Sequence, residues 1–297
     1  MTVETGRLHR MEMVRTSDRL RRMSCLLAAF ALSCPALAHA AGPLATVGVG
    51  FEFASGTYGT GHRTESVYVP LTAAYYPTDR LAFSLEIPFL YQSNSQVNTG
   101  LFTGAGSTAM HGMSMMGPGT LGSTSSSSST AGSGGSAESG LGDMIAKAGY
   151  VLVPEGDYKP KIRPYLQVKF PTGDQNKALG TGTFSESIFV ELSKQLGNWY
   201  SFAETGYTFQ GSSSRIALKN YLSYDAGIGY GIADSFLPMV IVKGSGAPVA
   251  GSGDLLEVRL KLKYLATQST GIEGYLAKGI TTNSPDYGSG LAVFHDF

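Results

Sequence analysis

Four methionines and a histidine lie within residues 110–116, in the stretch M-H-G-M-S-M-M. Thioether and imidazole groups are soft ligands that suit Cu(I), and a flexible segment could wrap three or four of them around one ion. The alternative is a spacer whose methionines bind nothing, or an apolar patch that touches lipid or a partner. The residue types therefore indicate a candidate copper site, with Met110, His111, Met113, Met115 and Met116 as its ligands.

Residues that could catalyse a reaction are scarce. Catalysis usually needs a positioned base beside a nucleophile, and the base is most often histidine. After residue 40 the histidines are His62, His111 and His295, and none stands in a recognisable catalytic arrangement. Cys25 and Cys34 both precede residue 40, so the rest of the chain has no thiolate for metal binding or redox chemistry. We therefore predict that the protein is not an enzyme and has no cofactor other than the copper considered above.

The remaining candidates are charged residues that alternate with apolar ones. In a β-strand, alternate residues point to opposite faces, so these charges would share the face that looks into a barrel. They would either pair and fill the interior, or line water and set the selectivity of a channel. Arg259, Lys261 and Lys263 would form a positive ladder that favours anionic solutes, unless acidic residues neutralise it. The predicted lumen-lining residues are Glu52, Glu86, Asp143, Lys147, Arg163, Lys169, Glu191, Glu204, Asp225, Glu257, Arg259, Lys261 and Lys263.

The first 40 residues have the pattern of a secretory signal peptide. Basic residues up to Arg22 precede an apolar run from Cys25, and small residues at Ala38 and Ala40 suit cleavage before Ala41. The run is too short for a membrane-spanning helix, and a later methionine could equally be the true start. Residues 41–297 would then form one secreted domain, and the formal net charge of zero argues against nucleic-acid binding.

Twelve segments after residue 41 alternate apolar and polar residues between turn signals, as strands between lipid and lumen do. A stretch rich in Gly, Ser, Thr and Met, residues 93–140, separates the third segment from the fourth and cannot bury a core. We expect it to be a long extracellular loop. The predicted strands are 45–53, 65–76, 81–92, 141–153, 161–170, 183–196, 199–210, 221–232, 236–244, 255–265, 271–281 and 289–297.

The last segment indicates how these strands would close. A strand without a partner costs several kcal/mol per backbone group in lipid, so the last strand must pair with the first. Its terminal Phe297 would also be recognised by the barrel assembly machinery. Connections alternate between long and short, which is the loop pattern of bacterial barrels. We predict an all-β, antiparallel transmembrane barrel of about 12 strands in the outer membrane of a Gram-negative bacterium, in contact with its lipid.

Aromatic residues at the predicted strand ends support the barrel, because they would form girdles at both membrane interfaces. Four prolines oppose it, because each removes a ladder hydrogen bond from the middle of a strand. The prolines are Pro70, Pro88, Pro164 and Pro238.

Four short motifs carry a resemblance to a known family. They are G-L-G-D at 140–143, F-P-T-G-D at 170–174, L-G-T-G-T at 179–183 and G-Y-T-F at 206–209. In order and spacing they resemble an outer-membrane family associated with the meta-pathway of phenol degradation. The resemblance implies a β-barrel that acts as a channel or transporter for small, often aromatic, compounds. The long insertion rich in Ser and Met departs from the family pattern.

Two functions follow from these observations. The first is a channel for passive uptake of small compounds, aromatic or anionic ones among them. The second is a non-conducting outer-membrane protein whose loop at 93–140 binds metal, a surface or a partner. A water-filled lumen distinguishes the first from the second.

The copper hypothesis predicts that a peptide spanning Thr108 to Gly119 binds Cu(I) through its four thioethers. Competition against a Cu(I) chelator measures the affinity, and a peptide with every methionine replaced by leucine is the control. Equal competition by the two peptides would leave the spacer interpretation standing.

Overall fold

The computed structural model describes residues 43–95, 135–233 and 235–297. They form an all-antiparallel sheet in which β1 pairs with both β2 and β13, so the sheet closes on itself. β4 and β5 both pair with β3 and are two parts of one barrel strand, which gives twelve strand positions and confirms the predicted architecture. The strands are β1 (Ala45–Gly56), β2 (Thr64–Tyr75), β3 (Leu81–Gln92), β4 (Glu138–Leu141), β5 (Met144–Tyr150), β6 (Lys161–Phe170), β7 (Ser185–Leu196), β8 (Trp199–Gln210), β9 (Tyr221–Tyr230), β10 (Phe236–Ser245), β11 (Leu255–Leu265), β12 (Thr270–Gly279) and β13 (Tyr287–Asp296).

The predicted fourth strand, 141–153, was wrong in its bounds. The strand already begins at Glu138, inside the stretch predicted as loop, because Glu138–Leu141 continues the ladder along Phe89–Gln92 of β3. It is interrupted at Gly142 and Asp143, and the face that points inward changes from even-numbered to odd-numbered residues across this break. Such a change is the effect of a β-bulge.

The first and last strands are longer at one end than predicted. Their ladder continues to Ser55 opposite Tyr287, so β1 extends past Phe53 and β13 begins before Ser289. At the other end the ladder continues past the strands themselves, because Phe297 N–H donates to Ala45 O over 2.9 Å and Leu44 N–H donates to Phe297 O over 2.8 Å. The seam between the chain ends is therefore hydrogen-bonded along its whole length.

The outward faces of the strands are apolar. Large hydrophobic side chains such as Phe51, Ile188, Leu260 and Leu276 are between 51% and 65% exposed. Exposed apolar surface that runs around a whole sheet is unfavourable in water and is the lipid-facing band of a membrane barrel.

Aromatic side chains pair with one another at both edges of this band. At one end Trp199 contacts Tyr230 edge-on, with ring centroids 5.0 Å apart. At the other end Phe170 contacts Phe184 in the same way at 5.7 Å. These contacts join neighbouring strands at the levels where the predicted girdles lie.

The four in-strand prolines lie where one of their two ladders is already interrupted. The ladder from β1 to β2 omits Pro70, and β4 and β5 leave a gap opposite Pro88. Pro164 lies just beyond the last pair between β5 and β6, and Pro238 lies just before the first pair between β9 and β10. Each proline therefore lacks an N–H where none is needed, which resolves the conflict with the strand predictions.

Connections alternate in length around the barrel, and we call the end with the longer ones the outer end. One inner connection, 151–160, is fastened through Glu155, which accepts hydrogen bonds from Lys194 Nζ at 2.8 Å and from Gln195 N–H at 2.7 Å. Burial raises the pKa of the Glu155 carboxyl, but these hydrogen bonds outweigh burial and the pKa is lowered. The outer connections are 57–63, 93–137, 171–184, 211–220, 246–254 and 280–286, and the inner ones are 76–80, 151–160, 197–198, 231–235 and 266–269.

In the described ranges no helix is both long enough and apolar enough to cross a membrane.

Deleting Phe297 is expected to impair assembly, because it removes both hydrogen bonds that its backbone makes across the seam. Each is worth about 1 kcal/mol, and the terminal aromatic ring is lost as well. Heat-modifiable migration in detergent gels measures the folded fraction, with Phe297→Tyr as the control that keeps ring and backbone. Equal folded fractions for the deletion and the control would show that the last residue contributes nothing.

Candidate functional site

The interior of the barrel holds the charged residues. All thirteen predicted lumen-lining residues lie among the inward-facing positions, Lys169 and Glu257 half-buried and the others buried. Side chains therefore fill much of the middle of the barrel.

Six charged side chains form one row across six neighbouring strands. Arg163 on β6 lies opposite Glu191 on β7, and Glu191 lies opposite Glu204 on β8. The row continues through Asp225 on β9 to Lys243 on β10, which lies opposite Glu257 on β11. Like charges directly opposite each other are destabilising unless other groups compensate them.

Cations and hydroxyls compensate two of the three adjacent acids in this row. Arg163 forms a buried ion pair with Glu191. Glu204 accepts a hydrogen bond of 2.8 Å from the hydroxyl of Tyr165, whose ring stacks on Phe189 with centroids 4.8 Å apart. The third acid, Asp225, lies directly opposite the cation Lys243.

The three cations of β11 are each accompanied by an acid. Arg259 Nε donates to Glu257 Oε1 at 2.6 Å. Lys261 Nζ lies 2.8 Å from one carboxylate oxygen of Glu273, and Lys263 Nζ lies 4.0 Å from the other. The positive ladder expected from the sequence is thus largely neutralised. Glu273 on the neighbouring strand β12 neutralises two of its three cations, Lys261 and Lys263.

Besides Asp296 on β13, the sequence did not predict two buried charges of this interior, Glu273 and Lys243. The β12 segment contains small residues on both faces, so its alternation is weak around Glu273. In β10 the inward residues before Lys243 are apolar too, namely Leu237, Met239 and Ile241, so polarity did not mark the inward face. Counting in steps of two from a buried neighbour would have found both residues.

A tyrosine and a glutamate are joined across a glycine at the seam. Tyr275 on β12 and Glu52 on β1 both lie opposite Gly290 on the strand between them, and the tyrosine hydroxyl donates to Glu52 over 2.7 Å. A Cβ atom at Gly290 would lie 2.2 Å from the Tyr275 ring. The absent side chain therefore lets the ring cross β13 and hold the carboxylate. A similar bond joins Tyr68 to Glu86 between β2 and β3.

One side of the interior is apolar near the inner end. Tyr200 and Phe202 on β8 pack against Leu237, Met239 and Ile241 on β10. The acids and cations of the cross-strand row lie directly above this cluster, since Glu204 and Lys243 each follow a cluster member by two positions. Charged and apolar side chains therefore adjoin each other at this level of the interior.

The candidate copper ligands, residues 110–116, lie outside the described residues. Within 43–95, 135–233 and 235–297, no three His, Cys, Asp or Glu side chains are grouped so that they could hold a metal ion. His62 lies in the first outer connection, and His295 Nδ1 lies 2.9 Å from Thr270 Oγ1 near the inner end of the barrel.

The barrel resembles solved outer-membrane proteins. It superposes on the outer membrane channel from Pseudomonas putida F1 with a TM-score of 0.62 and 15% identity, over 88% of this chain and 97% of that one. The NanC porin gives 0.49 with 11% identity, over 84% and 99% of the two chains. The Pseudomonas putida toluene transporter TodX gives 0.41 with 12% identity, over 86% and 89%. No curated protein matches the chain.

A family model described as "Putative MetA-pathway of phenol degradation" matches residues 88–297. This range begins within β3, runs to the last residue of the chain and includes all four motifs that carried the resemblance. The chain therefore belongs to the phenol MetA-pathway family of outer-membrane-type β-barrel proteins.

Proposed function

We propose that the protein is an outer-membrane channel for passive uptake of small compounds, aromatic and anionic ones among them. The observation that carries this proposal is a set of buried polar atoms in the interior without a protein partner among the described residues. They include both carboxylate oxygens of Asp225, the ammonium of Lys243, Oε2 of Glu86 and the hydroxyls of Ser185 and Ser245.

These atoms require water. A buried polar group without a hydrogen bond costs about 1–3 kcal/mol, and an ionised one costs more. Water molecules satisfy such groups wherever a site is polar and roomy enough, and twelve strands enclose more space than the eight of a fully packed barrel. The interior is then a narrow, hydrated path between side chains.

The path is narrow enough for charges on opposite walls to act on the same solute. Glu86 on β3 and Lys243 on β10 stand on opposite sides of the barrel. Because the screening length in 0.1 M salt is about 10 Å, a solute between them feels both charges. Pairing on β11 keeps the net field small, so we expect weak selectivity.

The comparisons support the proposal at the level of fold and family. A similar barrel is described as an outer membrane channel, and the family is described by a phenol degradation pathway. A phenol or aromatic acid suits a path in which the charged row borders the apolar Phe202 and Ile241. Export through a signal peptide and insertion by the assembly machinery of a Gram-negative bacterium belong to the same proposal.

The second candidate is the non-conducting protein whose residues 93–140 bind metal, a surface or a partner. The methionine and histidine composition of 110–116 favours it. It predicts that refolded protein passes neither ions nor a small aromatic acid, whereas the channel passes both.

Replacing one carboxylate or the cations that it neutralises is expected to shift ion selectivity in opposite directions. Glu273→Gln leaves Lys261 and Lys263 without their acid, so the reversal potential in a salt gradient should move toward anions. Lys261→Gln with Lys263→Gln should move it toward cations. Planar-bilayer recording of refolded protein measures both shifts.

The matched control is Glu273→Gln with Lys261→Gln, which removes both partners of the closest pair and should keep the wild-type reversal potential. Breaking a buried ion pair from one side costs about 3–5 kcal/mol, so heat-modifiable migration must confirm that each variant folds. A wild-type protein that gives no current and passes no benzoate into liposomes would contradict the channel. Unchanged reversal potentials in folded variants would show that β11 does not face the path.

A further inference from the structure

The outer connection between β6 and β7, residues 171–184, lies inside the mouth of the barrel. Its Leu179 is 1% exposed and packs against Tyr68 and Leu90, which are the inward-facing side chains of β2 and β3. β5 and β4 separate β6 from β3 in the wall. The connection therefore turns inward and crosses these strands, and an apolar side chain lies at its innermost point.

One carboxylate holds together the two arms of this connection, which we define as residues 171–174 and 179–184. Asp143, in the bulge between β4 and β5, accepts hydrogen bonds from Gly173 N–H at 3.1 Å and from Thr181 N–H at 2.9 Å. It also accepts from Thr181 Oγ1 at 3.1 Å and from Lys169 Nζ at 2.8 Å. Hydrogen bonds to a charged acceptor are the strong ones, and Asp143 makes four of them while it is only 8% exposed.

The arms meet at glycines that leave no room for a side chain. A Cβ atom at Gly180 would lie 2.8 Å from Gly173 Cα and 2.3 Å from Asp143 Oδ1. The motifs F-P-T-G-D and L-G-T-G-T each contribute one of these glycines, and G-L-G-D contributes the aspartate. Three separate motifs thus build one structure, which explains why they occur together in the sequence.

Further contacts fasten the connection to the wall. Gln92 Nε2 donates to Lys177 O over 3.1 Å, and Lys177 Nζ lies 3.7 Å from Glu138 Oε2. Thr172 Oγ1 donates to Gly142 O over 2.7 Å. These bonds tie both arms to β3, β4 and the bulge.

We propose that residues 171–184 are a constriction loop held in the mouth by Asp143 and by the packing of Leu179, and that this loop sets the largest solute that the channel admits. The loop narrows the mouth on the side formed by β2 to β6. Because Leu179 is buried against Tyr68 and Leu90, it anchors the loop there. This inference rests on the proposed channel function. Solutes would pass the loop before they reach the charged row below.

Conductance and size exclusion test the role of Leu179. With full-length refolded protein, Leu179→Ala should raise the single-channel conductance and admit larger sugars in a liposome-swelling series. Asn176→Cys, at an exposed position of the same connection, should lose most of its current when a bulky thiol reagent is added, since residues 41–297 contain no other cysteine. Ser214→Cys, at an exposed position in the connection 211–220, is the control and should keep its current.

Trypsin cleavage after Lys177 tests the role of Asp143 without any channel measurement. Asp143→Asn keeps the shape of the side chain and removes its charge, so the loop should detach and be cleaved faster than in the wild type. Heat-modifiable migration confirms that the barrel itself remains folded.

The outcomes separate the constriction from the channel. If the wild type conducts, but Leu179→Ala and the modified Asn176→Cys match it in conductance and size limit, the constriction is refuted and the channel stands. If the wild type does not conduct and Leu179→Ala does, the loop closes the mouth and the inference is supported. If neither conducts, the channel function is refuted and the role of Leu179 is refuted with it. Equal cleavage rates in the wild type and Asp143→Asn would show that Asp143 does not hold the loop in place.

Discussion

The structure depends on one constraint, which is that backbone N–H and C=O groups in lipid need partners within the protein. The ladder between β1 and β13 meets this constraint at the place where an open sheet would leave two edge strands without partners. It joins residues that are separated by nearly the whole chain, down to the two hydrogen bonds around Phe297. Prolines are tolerated under the same constraint only where a ladder already has a gap, as Pro88 shows opposite the break between β4 and β5.

Closure of the barrel also determines which side chains lie in its interior. Once alternate residues face lipid, the others are enclosed, and this chain places acids and bases there beside an apolar cluster. Buried charges are tolerated when they are paired, as Arg163 with Glu191 and Lys261 with Glu273 are. The carboxylate oxygens of Asp225 and the ammonium of Lys243 make no hydrogen bond with the described residues. The interior thus holds both paired charges and charges that the proposed hydrated path would satisfy.

Local alternation made the strands and most inward charges predictable from the sequence, because a period of two needs only neighbouring residues. Properties that depend on register between strands were not predictable in this way. The neutralisation of Lys261 by Glu273, the tolerance of Pro70 and the passage of Tyr275 over Gly290 all require knowledge of which residues lie opposite. The inward turn of residues 171–184 was also missed, since its motifs resembled loop signatures and their shared partner Asp143 lies 30 residues away from Gly173.

The bulge at Gly142 and Asp143 has a consequence for how the family could vary. It separates β4, which emerges from the long stretch rich in Ser and Met, from β5, which restarts the ladder with β3 in its own register. A change of length above the bulge can then be absorbed by β4 without displacing Lys147 or any later strand. The stretch rich in Ser and Met therefore joins the wall at β4, which a break in register separates from β5 and from the charged interior below.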